Sequence, residues 1–261
     1  MEMSKYRIVI PGTVTGLSIF AGIFAIFYCF DDSCADGIPT IACWLVIFAA
    51  MIDGLDGKIA RLTKSSSEFG IQFDSIADVI TFGTATSVIL YRGVFMKLAE
   101  NNPLFFAFPL LFLVCGAVRL ARFNVTATTK SKSGFSGLPI PSAAGAVVAL
   151  LLFFDWAEEA GIAIPELVLL RVTAGCTIVI SFLMVSTLHY ETFFGFFFSG
   201  WKKHLFRSLV LVGLLVVMAL EPRLSFFGVA YFYVLYGLVE NVKTRLIRGE
   251  PDSETIELEE E

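Results

Sequence analysis

Residues 38–78 read IPTIACWLVIFAAMIDGLDGKIARLTKSSSEFGIQFDSIAD. The stretch opens as an apolar run, 38–53, without charge before Asp53, and that run continues in helical spacing past Asp53 to Ala60. A basic segment with Lys58, Arg61 and Lys64 follows, and a second apolar segment begins at Gly70. Two apolar helices joined by a short basic loop are the repeating unit of a membrane bundle, because a bilayer core needs about 20 apolar residues per crossing. The rest of the chain repeats the pattern. Apolar runs recur near 8–30, 38–53, 70–91, 103–121, 138–156, 167–188, 205–220 and 224–242. The reading is an all-α, polytopic bundle of about eight transmembrane helices, with Glu221, Pro222 and Arg223 as the turn between the last two.

Composition agrees. The 261 residues are 56% hydrophobic and 16% charged, with 27 Phe and a mean hydropathy of +0.78. Soluble domains carry about 45–50% apolar and about 25% charged residues. A typical soluble enzyme, a disordered chain and a nucleic-acid-binding module are excluded. The net charge of −5 comes from the tail, where residues 249–261 hold seven acids and no base. Without them, 19 bases face 17 acids. Residues 1–248 form the membrane domain, and 249–261 read as a solvated, disordered acidic end.

Lys and Arg set the orientation. Fifteen of the 19 flank one side: Lys5, Arg7, Lys58, Arg61, Lys64, Arg119, Arg122, Lys130, Lys132, Lys202, Lys203, Arg207, Lys243, Arg245 and Arg248. Asp31, Asp32, Asp36, Asp155, Glu158 and Glu159 mark the other. Both termini and the basic loops are therefore expected in the cytoplasm, in a multi-pass protein of the cytoplasmic membrane. The first apolar segment reads as a retained span. Five Cys show no metal spacing, and most lie in apolar runs as small hydrophobes; a Cys29–Cys34 bridge is the minor alternative. The aromatic run at 193–198 reads as lipid-facing or interfacial packing.

Ionisable groups in spans are expensive and mark function. Asp53, Asp56, Asp74 and Asp78 fall within 26 residues. The first two are three apart and the last two four apart, so each pair shares a helix face. An antiparallel hairpin brings all four to one point, where their repulsion calls for a divalent cation. Hard oxygen ligands favour Mg²⁺ or Mn²⁺, with Ca²⁺ also compatible. Gly54, Gly57, Ala60 and Gly70 leave room for a ligand, and Arg61 suits a phosphate. The alternatives are buried structural carboxylates neutralised by Lys58, Arg61 and Lys64, or the ion pathway of a cation transporter.

The order D-x-x-D-G-x-x-A-R-x8-G-x3-D-x3-D resembles the signature of the CDP-alcohol phosphotransferases, met at Asp53, Asp56, Gly57, Ala60, Arg61, Gly70, Asp74 and Asp78. The resemblance implies a metal-dependent transferase that moves a substituted phosphate from a CDP-linked donor to an alcohol and releases CMP. It implies two ions, one on Asp53, Asp56 and Asp74 and one on Asp53, Asp74 and Asp78, with Asp78 also the general base. It assigns the donor to Gly57, Ala60, Arg61 and Gly70, with Ser67 adding a hydroxyl. The stretches 68–83, Arg119-Leu-Ala-Arg122-Phe123-Asn124, 135–141 and 184–187 are similar to the serine-accepting branch. CDP-diacylglycerol and L-serine are then the implied substrates, and a homodimer the implied assembly. Arg119, Arg122 and Asn124 are candidates for the serine pocket, against a role as plain positive-inside flanks. The loop carrying Gly134, Gly137, Pro139 and Pro141 reads either as a turn over the site or as a connector. The sequence departs from the family where Gly12 replaces an Asn and Thr86 a Pro, and Thr15 remains a donor candidate. Glycerol phosphate, inositol phosphate or choline are the alternative acceptors.

Overall fold

The computed structural model describes residues 2–31, 37–63, 68–96, 102–128, 137–188, 190 and 221–248, with side chains over 15–31, 37–54, 70–96, 102–125, 137–188, 190 and 221–243. The expected seventh span, the aromatic run at 193–198, Cys34 and the acidic tail lie outside the described residues.

Among the described residues the protein is all-helical. In a lipid phase each backbone polar group must be paired within its own segment, and long apolar runs achieve that as helices. Helix α1 (Glu2–Tyr28) packs along α2 (Thr40–Thr63). Next comes α3 (Glu68–Asp78), a π-helical turn (Val79–Thr84), α4 (Ala85–Leu90) and a second π turn (Tyr91–Phe95). A 3-10 turn (Pro103–Phe106) leads into α5 (Ala107–Thr128), followed by α6 (Ile140–Glu159), α7 (Glu166–Val185) and α8 (Pro222–Arg248). Five described segments are long and apolar enough to cross a membrane: Gly70–Phe95, Pro103–Val125, Ile140–Glu159, Glu166–Val185 and Pro222–Lys243. Thr15–Tyr28 and Thr40–Gly54 are shorter apolar helices.

Prolines mark the entries. Pro222 stands at the first position of α8, where its missing N–H has no helical partner to lose. Asn102 caps the 3-10 turn by accepting from the Leu104 N–H at 3.0 Å. Helix α6 is the hub: Ala143, Ala144, Val147, Val148, Leu151 and Leu152 are all buried, with α2, α7 and α8 packed round it. Phe20, Phe27, Phe48, Phe182, Phe232 and Val239 point outward, an apolar exterior suited to lipid. Cys29 is buried.

Two local features depart from plain spans. The third segment is not one α-helix: the Thr84 hydroxyl donates to the Val79 carbonyl at 3.1 Å and takes part in the wider turn after Asp78. Such turns insert an extra residue into a helix and recur at functional sites. The sixth segment stops at Val185 because the chain ahead of α6 docks there. Gly137 N–H donates to the Leu188 carbonyl at 2.8 Å, and Leu138 N–H to the Leu183 carbonyl at 3.0 Å. Gly137 holds φ at +89° against the Met184 carbonyl, a position closed to any side chain. Gly137 and Leu138 thereby tie the start of α6 to the end of α7.

Candidate active site

Helix α2 delivers Asp53, and α3 presents Asp74 and Asp78 one turn apart on a single face. One carboxylate oxygen from each lies within 4.8 Å of the others. Asp78 is 9% exposed, Asp53 half-buried and Asp74 exposed, so the cluster is open at one edge and closed at the other. Oxygens on opposite sides of a Mg²⁺, Mn²⁺ or Ca²⁺ ion stand about 4–5 Å apart. The three carboxylates thus fit a hard divalent cation in both chemistry and spread. Helix α2 runs on through Asp56, Gly57, Ala60 and Arg61, whose side-chain positions are outside the described set, and Ser67 lies outside the described residues.

Helix α5 forms the second wall. Arg119 is 8% exposed, and its Nε has no hydrogen-bond partner among the described residues. It interacts electrostatically with Asp78 and with Tyr233 of α8. A buried guanidinium with an unused donor is a docking point for an anion. Asn124 lies further along α5. Its Nδ2 donates to the Ser75 Oγ at 3.0 Å and to the Gln72 Oε1 at 3.2 Å, while the Ser75 hydroxyl donates to the Ile71 carbonyl at 3.1 Å. This network ties α5 to the helix carrying Asp74 and Asp78. Arg122 donates from Nη1 to the Val185 carbonyl at 3.0 Å, which ties α5 to the end of α7.

The structure therefore gathers Asp53, Asp74, Asp78 and Arg119, and reaches Asn124 through Ser75. Arg122 sends one donor to the backbone. Thr15 is buried on α1, which packs against α3, and Gly70 is half-buried near the start of α3. Sequence reasoning missed Gln72, Ser75 and Tyr233. The first two were legible as polar residues inside an otherwise apolar segment; Tyr233 is one aromatic among many in the last helix and carries no sequence signal of its own.

An all-helical membrane bundle with a carboxylate cluster in this signature defines a class of lipid-linked transferases, and residues 8–186 match the model of the CDP-alcohol phosphatidyltransferase family, to which the chain belongs. It is 36% identical over 236 residues to the CDP-diacylglycerol–serine O-phosphatidyltransferase of Helicobacter pylori, covering 88% of this chain and 89% of that one. The enzyme of the same name from Methanocaldococcus jannaschii is 28% identical over 236 residues, 90% and 96% of the two chains. Archaetidylserine synthase of Methanothermobacter thermautotrophicus is 32% identical over 185 residues, 70% of each. The chain is an integral membrane enzyme of the transferase class.

Proposed function

We propose that this protein transfers a phosphatidyl group from CDP-diacylglycerol to L-serine, giving phosphatidylserine and CMP, at the cytoplasmic face of a membrane. The observation that carries the reading is the convergence of Asp53, Asp74 and Asp78 beside the buried Arg119. The names of the aligned relatives support donor and acceptor. The match to a transferase family favours group transfer over ion transport, as does a carboxylate cluster gathered at one place.

Asp53, Asp74 and Asp78, with Asp56 next along α2, would hold one or two divalent ions. Bound there, such ions neutralise the diphosphate and stabilise charge on the leaving CMP. Gly57, Ala60, Gly70 and Thr15 leave room for the donor, and Arg61 and Ser67 offer it polar contacts. The serine hydroxyl oxygen attacks the phosphorus that carries diacylglycerol; the bond from that phosphorus to the CMP oxygen breaks, and the hydroxyl proton passes to the Asp78 carboxylate. Arg119 takes the serine carboxylate. Because Arg122 already serves Val185, Arg119 is, among the described residues, the one buried guanidinium within electrostatic reach of Asp78, which suits a zwitterionic acceptor better than a phosphorylated alcohol. Asn124 holds α3 in register and borders the same pocket. Eight spans, both termini in the cytoplasm, a catalytic unit over 1–248 and a homodimer complete the proposal; the Lys and Arg bias supports the orientation.

The test is a reconstituted assay with CDP-diacylglycerol, Mn²⁺ or Mg²⁺ and labelled serine, beside glycerol phosphate, inositol phosphate and choline. Equimolar CMP and phosphatidylserine, stopped by a chelator, is the expected result. CMP release without serine incorporation would overturn the acceptor, and cation flux without CMP release would overturn the transferase reading.

A further inference from the structure

A second polar concavity lies at the end of the bundle away from the Asp cluster. It holds about 550 Å³ and sits where the segments Gly70–Phe95 and Ile140–Glu159 end and Glu166–Val185 begins. Its edge includes Ile38, just ahead of α2, and Asp53 lies thirteen residues along that helix from Thr40, so about 20 Å of helix separates the two sites. The walls are well fixed. Gly93 packs so closely on Pro39 that an added Cβ would stand 3.0 Å from the ring Cδ. Opposite, Gly161 at φ +78° closes α6: its N–H donates to the Glu158 carbonyl at 3.0 Å, and the Ile162 N–H donates to the Ala157 carbonyl at 2.9 Å. Arg92 lines the cavity from the third segment and is half-buried. Its Nε donates to the Cys29 carbonyl at 2.9 Å, and its Nη1 contacts the Met96 sulfur, a weak acceptor, at 2.7 Å. Among the described residues Arg92 has no carboxylate partner, whereas Arg223 is answered by Asp155 and Glu159, each at 2.7 Å. Glu158 and Glu166 border the same cavity, exposed and likewise without a basic partner among the described residues.

We propose that this cavity binds the headgroup of a zwitterionic aminophospholipid, with the phosphate on Arg92 and the primary ammonium on Glu158 and Glu166. The site is separate from the transfer chemistry and holds whichever alcohol is the acceptor. A guanidinium with unspent donors suits a phosphate. The two carboxylates would turn away a plain anion, so the ligand must carry a cation as well. One basic and two acidic side chains round one space therefore select opposite charges on a single molecule. The space is ample, since cavities of about 300–1,000 Å³ hold small ligands. A lipid is the source for two reasons. The cavity lies where spans end, the depth at which a bilayer presents its headgroups. Beside it Ile162, Leu167 and Val168 form an exposed apolar shoulder for acyl chains. Phosphatidylglycerol brings no ammonium, phosphatidylcholine no N–H for the carboxylates, and the extra carboxylate of phosphatidylserine would meet the two Glu.

The experiment measures equilibrium binding of dioctanoyl phosphatidylethanolamine, phosphatidylglycerol and phosphatidylcholine to the full chain in a non-ionic detergent, with CMP release read beside it. Wild type should bind phosphatidylethanolamine about fivefold more tightly than the other two, the scale of an exposed ion pair. The double variant Glu158→Gln, Glu166→Gln should lose that preference with CMP release at its wild-type rate. Arg92→Gln should weaken all three lipids about tenfold, because each brings a phosphate. Equal binding of the three lipids by wild type, or a preference kept by the double variant, overturns the proposal. Phosphoethanolamine, the same headgroup without acyl chains, should bind at least about tenfold more weakly; if it competes as well as the lipid does, a soluble phosphate is the occupant and the proposal fails. Should Arg92→Gln not fold, the double variant decides alone, since both of its side chains are exposed. The serine reading has its own assay and survives either outcome.

Discussion

Neutralising Asp78 should inactivate the protein and yet stabilise its metal-free form. Carboxylate oxygens of Asp53, Asp74 and Asp78 lie within 4.8 Å of one another. At that separation and an effective dielectric of about 20, two unit charges repel by about 3.5 kcal/mol. The pairing of Asp78 with half-buried Asp53 comes close to that value, whereas exposed Asp74 contributes less through solvent screening. Arg119 attracts Asp78 and offsets part of that repulsion. Asp78→Asn therefore removes a net penalty of about 1–3 kcal/mol from the chelator-treated protein. For a chain of this size that is a rise in Tm of about 2–10 °C. Saturating Mn²⁺ narrows or reverses that gap, because wild type gains about 2.7 kcal/mol at one hundred times Kd and the variant gains less. Thermal scans at one fixed rate in detergent, with chelator and with Mn²⁺, read both quantities beside CMP release. If Asp78→Asn melts well below wild type in chelator, and Mn²⁺ leaves wild type unmoved, the cluster is a structural partner of Arg119 and not a cation site.

Asn124→Ala should cost about 1 kcal/mol in stability and lower kcat about tenfold with the donor KM near wild type, since Ser75 and Gln72 lose the bridge that orients α3; steady-state kinetics separate the two parameters. Gly137→Ala should lose more than about 2 kcal/mol, seen as a Tm fall of several degrees, because a side chain at φ +89° meets the Met184 carbonyl. Burial pushes the Tyr190 phenol up to about 12 from an ordinary value of 10.0. Stability from this group is whole below pH 10 and is lost as pH rises towards 12, and Tyr190→Phe should remove that alkaline decline in melting temperature.

Much of this was legible in the chain. Uncharged runs gave the helices because bilayer thickness fixes their length, and the ends of α2 and α6 fall within a few residues of expectation. Helical spacing gave the meeting of Asp53 with Asp74 and Asp78, since faces follow from a period of 3.6. The π turn at Val79–Thr84 was hidden: an inserted residue changes helical phase without any compositional mark. Tyr233 was hidden for another reason. Its place depends on how α8 packs against a hub more than 70 residues earlier, and pairwise packing of distant helices leaves no local pattern.

The wide turn after Asp78 carries one more consequence. An α-helical residue advances the chain by about 100°, so one supernumerary residue resets the azimuth of everything downstream. Upstream of it, Asp74 and Asp78 answer to the polar cleft; downstream, the buried side chains Ala85, Thr86, Ile89 and Leu90 answer to neighbouring helices. A one-residue deletion between 79 and 84 would leave every chemical group of the cleft in the polypeptide while swinging one half of the segment away from its own partners.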